Sequence, residues 1–251
     1  MRKLDKEGFV LTQLVLDNRY LSNWYIFGDS VCKGIVYNSV DNRYELSKQN
    51  FINILADKFK AKVKNFASFG ATIKKGLTIF QRKKEEIVEP GIAFLGFGGN
   101  DCDYFWADVA QQPSFNHQPN VPLDSYFELY KELINNLQEK NIIPVIINLP
   151  PLDPDRYFNC FSKGLNKENL LTFLGGSTKR IYQWHESYNS VLTELAIETG
   201  ALYIDVRQRF LEEINPERYM CEDGIHPNDE GHKLISEILY KKINEMLIDK
   251  L

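Results

Sequence analysis

The sequence predicts an α/β protein in which a five-stranded parallel sheet is covered by helices on both faces. Short apolar runs alternate with amphipathic helical patterns, and polar clusters follow several of the runs. Strands that alternate with helices are typical of parallel sheets, because a parallel pair needs a long crossover connection. We therefore predict a three-layer α/β/α arrangement.

Three of the predicted strands lie in the first half of the chain. Each is a short apolar run, and the helical patterns between them repeat at spacings of three and four residues. The strands are predicted at 23–27, 62–66 and 92–95, and the helices around 51–59 and 73–80.

Two further strands and three helices are predicted in the second half. Ser125 and Glu128 match a capping box, which predicts that a helix starts at Ser125. The run at 142–149 is almost continuously apolar, as expected of a strand that is buried on both faces. The remaining elements are a helix at 181–195, a strand at 201–206 and a last helix at 228–247.

Composition fits one globular domain over residues 1–251. With 43% apolar residues the chain can bury a large core, and 34 acidic against 30 basic residues give a net charge of −4. The absence of a basic stripe from the sequence argues against nucleic acid as the main partner. The sequence does not specify an oligomeric state.

The sequence also favours a cytoplasmic location. Thr12 and Gln13 interrupt the apolar segment 8–16, which we interpret as a strand or hairpin rather than a secretion signal. No apolar run approaches the roughly 18 residues that a membrane span needs. The four scattered cysteines lack the density of a disulfide scaffold and CxxC spacing, so free thiols in a reducing compartment are expected.

Four polar motifs lie at or beyond the ends of predicted strands. In an open parallel sheet, ligands bind outside the carboxyl ends of the strands, so we expect the motifs to converge on one site. They are GDSVCKG at 28–34, NFASFGAT at 65–72, GGND at 98–101 and DGIHPNDEG at 223–231.

These motifs resemble the four sequence blocks of the SGNH (GDSL) hydrolase superfamily, which includes GDSL-like lipases and acylhydrolases. The order matches over almost the whole chain, although Cys32 stands where the family often has Thr and Ala67 where Gly is frequent. The resemblance implies a flavodoxin-like α/β/α domain that cleaves a carboxylic ester without a cofactor.

The residue types suit this chemistry. A serine hydroxyl needs an adjacent base, for which His226 is the candidate, and the carboxylate of Asp223 can hold the imidazole in the required tautomer. Ser30 is then the nucleophile. The resemblance further implies an oxyanion hole made by the backbone N–H groups of Ser30 and Gly70 and the side-chain amide of Asn100.

Each of these residues also has a structural alternative. Ser30 could cap a helix, Gly70 and Asn100 could belong to turns, and Asp223 with His226 could form a surface turn. Cys221, Asp223, His226 and His232 could be drawn as a metal site, but their spacing fits no common zinc pattern, so no metal is predicted.

Two long connections, at about 102–123 and 150–176, are expected to determine which ester is bound. Both are rich in aromatic residues and leave strands that border the predicted site. Trp106 and Phe161 are the predicted substrate-binding residues. The alternative is that these aromatic side chains only form small satellite cores under the loops.

The sequence therefore predicts a serine hydrolase that acts through an acyl-enzyme. The expected substrate is a small-molecule ester with a short acyl or acetyl group, such as an acetylated sugar. Thioesterase or lysophospholipase activity at the same site is an alternative. A non-catalytic binding protein on the same fold is a further one, although a binder would not need Ser30, Asn100, Asp223 and His226 together.

Overall fold

The computed structural model describes residues 18–248, which contain seven strands and ten α-helices. The strand or hairpin predicted at 8–16 lies outside these residues. The strands are β1 (Asn23–Gly28), β2 (Ile35–Asn38), β3 (Arg43–Leu46), β4 (Lys62–Asn65), β5 (Gly91–Gly96), β6 (Ile142–Ile147) and β7 (Leu202–Ile204). The helices are α1 (Ser30–Lys33), α2 (Phe51–Phe59), α3 (Ile73–Lys83), α4 (Trp106–Gln111), α5 (Leu123–Glu139), α6 (Pro154–Phe161), α7 (Lys167–Phe173), α8 (Lys179–Thr199), α9 (Arg207–Glu212) and α10 (Asp229–Ile248).

Five strands form one parallel sheet in the order β4-β1-β5-β6-β7. Strand β1 is paired on both sides, and Ile26 lies opposite Asn65 of β4 and Phe94 of β5. The chain builds the sheet outward from β1 in both directions, which is the doubly wound, flavodoxin-like order. The predicted fold class is confirmed.

The two faces of the sheet bury separate apolar cores. On one face, Tyr25 and Phe27 of β1 pack with side chains of α3 and α5, and on the other, Trp24 and Ile26 pack with α2 and α10. All four side chains are buried. Because helices cover both faces, the central strands β1, β5 and β6 are almost continuously apolar. The edge strand β4 instead alternates exposed lysines with half-buried residues.

Some element boundaries differ from the predictions. Helix α5 starts at Leu123, two residues before the predicted start. Its N-cap residue is Pro122, which offers no side-chain cap among the described residues. The predicted capping-box start at Ser125 is therefore wrong. The first helical hydrogen bond there runs from Tyr126 N–H to Pro122 O at 2.8 Å. Strands β6 and β7 are shorter than predicted, and an antiparallel hairpin of β2 and β3 was not predicted.

Both long connections contain helices of their own. Helix α4 lies in the first connection, and α6 and α7 lie in the second. Their apolar side chains form a third, smaller core with residues of α8, including Trp106, Phe158, Leu170 and Ile181. This core lies next to the carboxyl ends of β5 and β6, which the two connections follow.

Two glycines let α1 pack directly against the end of the sheet. Gly28 and Gly96 are paired at the ends of β1 and β5. A Cβ atom at Gly96 would lie 2.4 Å from Cys32 Sγ, and one at Gly28 would lie 2.5 Å from Cys32 Cβ and 2.6 Å from the carbonyl oxygen of Gly96. Cys32 therefore fills the space that two side chains would occupy, and Ser30 is held at the carboxyl end of β1.

We expect Gly96→Ala to lower the free energy of unfolding by about 1–3 kcal/mol, because the new methyl group overpacks the contact with Cys32. The double variant Gly96→Ala/Cys32→Ala should lose less free energy of unfolding than the two single variants lose together, since removal of Sγ relieves the clash. Chemical denaturation measures both.

Gly28→Ala is the matched control. Its methyl group would also meet a backbone carbonyl, so Cys32→Ala should not rescue it. Additive effects of Gly96→Ala and Cys32→Ala would contradict this account of the packing.

Candidate active site

Ser30 is the first residue of α1, immediately after β1. Asp29 is the N-cap residue of this helix, and its Oδ1 accepts a hydrogen bond from Val31 N–H at 2.9 Å. The cap is thus supplied by Asp29 and not by Ser30. The Ser30 hydroxyl lies instead 2.8 Å from His226 Nε2.

His226 is held by Asp223 from the opposite side of its ring. Nδ1 of His226 lies 2.6 Å from Asp223 Oδ2. The other carboxylate oxygen, Oδ1, accepts hydrogen bonds from the backbone N–H groups of Ile225 and His226, each at 3.2 Å. The carboxylate is therefore fixed by backbone donors while it orients the imidazole.

The segment that carries Asp223 and His226 is buried, which argues against an ordinary surface turn. The two side chains are almost completely buried, and the N–H of Cys221 donates to the carbonyl of His226 at 2.7 Å. Gly224 has φ of +80°, and a Cβ there would lie 2.7 Å from the carbonyl oxygen of Asp153. The turn is thus packed tightly against the start of α6.

The hydrogen-bond pattern determines the tautomer of His226. An ionised carboxylate can only accept, so Nδ1 carries the proton of the neutral ring and Nε2 accepts from Ser30. This arrangement suits proton transfer, because the serine hydroxyl already points at the base.

The other two predicted residues lie on loops beside Ser30. Asn100 follows β5, and its side-chain amide donates to Asp29 Oδ2 at 3.5 Å. Gly70 lies in the loop after β4 with φ of +66°, a conformation that favours glycine. This loop is tied to β1 by a hydrogen bond from Ser68 N–H to Gly28 O at 3.0 Å.

Two further carboxyl groups of the motifs are buried: Asp29, which precedes Ser30, and Asp101, which follows Asn100. Burial raises the pKa of Asp29 from 3.8 to about 6, although the Val31 N–H partly offsets the shift. Burial likewise raises the pKa of Asp101 to about 7, and one of its oxygens accepts from the N–H of Ile73 at the start of α3 at 2.9 Å. Asp29 thus stabilises the start of α1, and Asp101 stabilises the start of α3.

A cavity of about 80 Å³ opens beside Ser30, Asn100 and His226. Its wall is mostly apolar, with Leu149, Pro150 and Leu152 from the segment after β6. Polar side chains of the wall are engaged with one another, as in the hydrogen bond of 2.6 Å from Tyr157 Oη to Asp103 Oδ2. Sequence reasoning missed these wall residues, although Pro150 and Pro151 marked the strand end.

His185 also lines this cavity and is electrically neutral. Its Nδ1 lies 3.4 Å from Nη1 of the buried Arg207. Because a guanidinium only donates, Nδ1 must accept, and the ring proton is on Nε2. Burial, together with the charge of Arg207, lowers the pKa of His185 to about 3. The cavity therefore includes an uncharged imidazole as well as apolar groups.

The structure places Trp106 and Phe161 in the satellite core. Their rings stack at a centroid distance of 4.3 Å, and Trp106 is only 8% exposed. The indole N–H donates to Asp103 Oδ1 at 2.7 Å. Neither Trp106 nor Phe161 belongs to the described residues that line the cavity beside Ser30. This arrangement favours the satellite-core alternative over direct contact with substrate.

Two other aromatic rings lie against His226. The ring centroids of Tyr44 and Phe69 are 5.2 and 6.2 Å from that of the imidazole. Tyr44 belongs to the hairpin that was not predicted, and Phe69 precedes Gly70 in the second motif. The sequence signal for Phe69 was its position inside a motif, whereas Tyr44 had none.

Within residues 18–248, the side chains of His, Cys, Asp and Glu form no group of three or more that could hold a metal ion. His232, one of the four residues considered as a metal site in the sequence, instead stacks on Phe51 with a ring-centroid distance of 5.8 Å. Over the same residues, none of the helices has the length and apolar character of a membrane span.

Comparison with known proteins gives one family match and several structures with the same fold. A model of the GDSL-like lipase/acylhydrolase family matches residues 26–234. Three solved structures are similar: a lipase/acylhydrolase from Enterococcus faecalis (16% identity, 92% of this chain and 99% of that chain covered, TM-score 0.62), a psychrotrophic esterase from Pseudoalteromonas (17%, 90% and 98%, 0.58), and an acetyl-xylooligosaccharide esterase mutant from Geobacillus (16%, 88% and 94%, 0.60). No curated protein gives a significant match. At these identities the structures show a shared fold.

We expect Trp106→Ala to destabilise the protein by about 3–5 kcal/mol, since it removes a buried stacked ring and one hydrogen bond to Asp103. The ranking of kcat/KM over p-nitrophenyl esters of increasing acyl length should stay unchanged. Denaturant unfolding and an ester series measure the two effects.

Phe105→Ala is the matched control, because this neighbouring ring is 67% exposed. It should change stability little. A changed ester ranking with unchanged stability in Trp106→Ala would instead support a substrate-binding role.

Proposed function

The chain belongs to the GDSL-like lipase/acylhydrolase family, and we propose that this member cleaves a short-chain carboxylic ester through an acyl-enzyme formed on Ser30. The observation that carries the proposal is the chain of hydrogen bonds from Ser30 through His226 to Asp223, at 2.8 and 2.6 Å. A non-catalytic binding protein would have no need of this arrangement.

In the proposed reaction, Ser30 Oγ attacks the ester carbonyl while His226 Nε2 takes its proton. Asp223 stabilises the imidazolium that forms, because its Oδ2 already accepts from Nδ1. His226 then gives the proton to the leaving alcohol. A water molecule, activated by the same imidazole, hydrolyses the acyl-enzyme and restores Ser30.

The negative charge of the tetrahedral intermediate needs fixed donors. We assign these to the backbone N–H groups of Ser30 and Gly70 and to the side-chain amide of Asn100. The carboxylate of Asp29 supports this assignment, since it accepts from one amide hydrogen of Asn100 and so helps to set the orientation of the other.

The size and lining of the cavity support a short acyl group. About 80 Å³ beside Ser30 can hold several water-sized groups, which suits a short acyl group. One similar structure is an acetyl-xylooligosaccharide esterase, and an acetylated carbohydrate is within the proposed substrate class. We also propose a cytoplasmic location, which the free cysteines support, because reduced thiols are usual in that compartment. We further propose that the chain forms one domain.

A fluorophosphonate should label Ser30 and release its fluoride, because the probe reacts with a serine that has an adjacent base. Ser30→Ala should abolish both labelling and ester hydrolysis, and His226→Ala should slow labelling strongly. Intact-mass and peptide mass spectrometry measure the adduct.

The control is Ser190→Ala, which removes an exposed serine on α8 whose hydroxyl donates to the Glu186 carbonyl. Its labelling should equal that of the unmodified protein. Labelling that persists in Ser30→Ala would overturn the assignment of the nucleophile.

We expect Asn100→Ala to lower kcat by roughly 100- to 1000-fold with little change in KM, because the amide binds the oxyanion more strongly than the ground-state carbonyl. Steady-state kinetics with p-nitrophenyl acetate test this. Asn136→Ala, which removes an exposed amide on α5, should have no effect. A raised KM with normal kcat would make Asn100 a ground-state binding residue instead.

A further inference from the structure

Tyr44 and Phe69 form an exposed aromatic pair beside the proposed catalytic base. Their rings are 5.1 Å apart at an interplanar angle of 57°, and each also contacts the imidazole of His226. Tyr44 is 41% exposed and Phe69 is 48% exposed. The pair therefore presents apolar ring surface to solvent at the edge of the site.

Both rings are held in place by the fold. Tyr44 is paired with Tyr37 across the β2–β3 hairpin, and their ring centroids are 5.2 Å apart. Phe69 lies in the loop that a backbone hydrogen bond from Ser68 ties to Gly28 at the end of β1. Tyrosine and phenylalanine have few rotatable bonds, so ordering such rings around a ligand costs little entropy.

The pair lies outside the cavity. Among the described residues that line the cavity, Asn100, Leu149 and Tyr157 are included and the two rings are not. An acyl group on Ser30 stays bound after the first step, and the cavity beside Ser30 has room for a short one. The exposed rings lie where a group can leave for solvent.

The chemistry of His226 assigns the alcohol to this exposed side. In the first half of the reaction, Nε2 donates its newly acquired proton to the oxygen of the leaving alcohol as the carbon–oxygen bond breaks. That oxygen must then be within hydrogen-bond distance of Nε2. The alcohol bound to it therefore extends from the imidazole, against which Tyr44 and Phe69 pack.

We propose that Tyr44 and Phe69 form the leaving-group subsite, and that this subsite selects alcohols that contain a six-membered ring. This inference rests on the proposed esterase function. One face of a six-membered ring, whether a planar aryl ring or the C–H face of a pyranose chair, can lie against an aromatic ring, whereas a linear alkyl chain touches it along one edge. Pyranose and aryl rings share this stacking chemistry, so both are candidate sources of the ring.

The test compares acetate esters whose acyl group is the same and whose alcohols are all primary. Cyclohexylmethyl acetate and heptyl acetate have equal numbers of carbon atoms and similar intrinsic reactivity. Benzyl acetate and a methyl glucoside acetylated at its primary hydroxyl represent the aryl and sugar rings. The measured quantity is the ratio of kcat/KM for each cyclic ester to that for heptyl acetate.

We expect Phe69→Leu and Tyr44→Leu each to lower this ratio by roughly 3- to 10-fold, the effect expected for loss of one aromatic stacking contact. Tyr44→Phe keeps the ring and should keep the ratio. Phe115→Leu is the matched control, because this ring is 65% exposed on the first long connection, and it should also keep the ratio. The leucine variants should lower the ratio more for one of the benzyl and glucoside esters than for the other. The ester with the larger decrease identifies the ring source that the subsite prefers.

Two outcomes would overturn the subsite. One is an equal loss of kcat/KM on cyclic and linear esters with an altered pH profile, which would show that the rings only hold the imidazole. The other is an unchanged ratio in both leucine variants that still unfold at the temperature of the unmodified protein. Failure of the esterase function itself is distinguishable, since the unmodified protein would then neither hydrolyse these acetates nor react with a fluorophosphonate.

Discussion

Parallel pairing of β1 with both of its neighbours is the constraint on which the candidate site depends. Because β4, β1 and β5 run in the same direction, the loops that follow them emerge at one edge of the sheet. Ser30 begins α1 directly after β1, and Gly70 and Asn100 lie in the loops that follow β4 and β5. The glycines that end β1 and β5 then allow α1 to pack against this edge, so that the nucleophile is held by the core and not by a mobile loop.

The buried carboxyl groups near Ser30 are in different environments because they have different donors. Asp223 accepts from two backbone N–H groups and from the imidazole. Asp29 accepts from Val31 N–H at 2.9 Å and from the Asn100 amide at 3.5 Å, and burial is the dominant influence on its pKa. Burial alone therefore does not determine which carboxyl group is suited to hold a base. The number and geometry of the fixed donors matter as much.

The sequence was sufficient to predict the centre of the main sheet, because strands buried on both faces, such as β5 and β6, appear as continuous apolar runs. The edge strand β4 has only a weak apolar signal, since Lys62 and Lys64 are exposed. The sequence also predicted that Ser30, Asp223 and His226 would lie together. The β2–β3 hairpin was not predicted. Its strands have four residues each and are half-buried or exposed, so the apolar run at the start of β2 and the alternation in β3 are too short to distinguish a strand from a loop. The roles of aromatic residues could not be predicted either. Trp106 and Tyr44 are both aromatic residues near the site, and only the packing of the folded chain separates a core ring from an exposed one.

The bond between Ser30 and His226 joins residues that are 196 positions apart. The first helix after β1 and the turn before α10 are brought together only when the intervening strands and helices are in place. Closing so large a loop is entropically costly, and the two side chains cannot be adjacent in a fragment that lacks the middle of the chain. Reactivity at Ser30 therefore depends on the folded chain between these residues, and a covalent reagent at this serine reports on global folding as much as on catalysis.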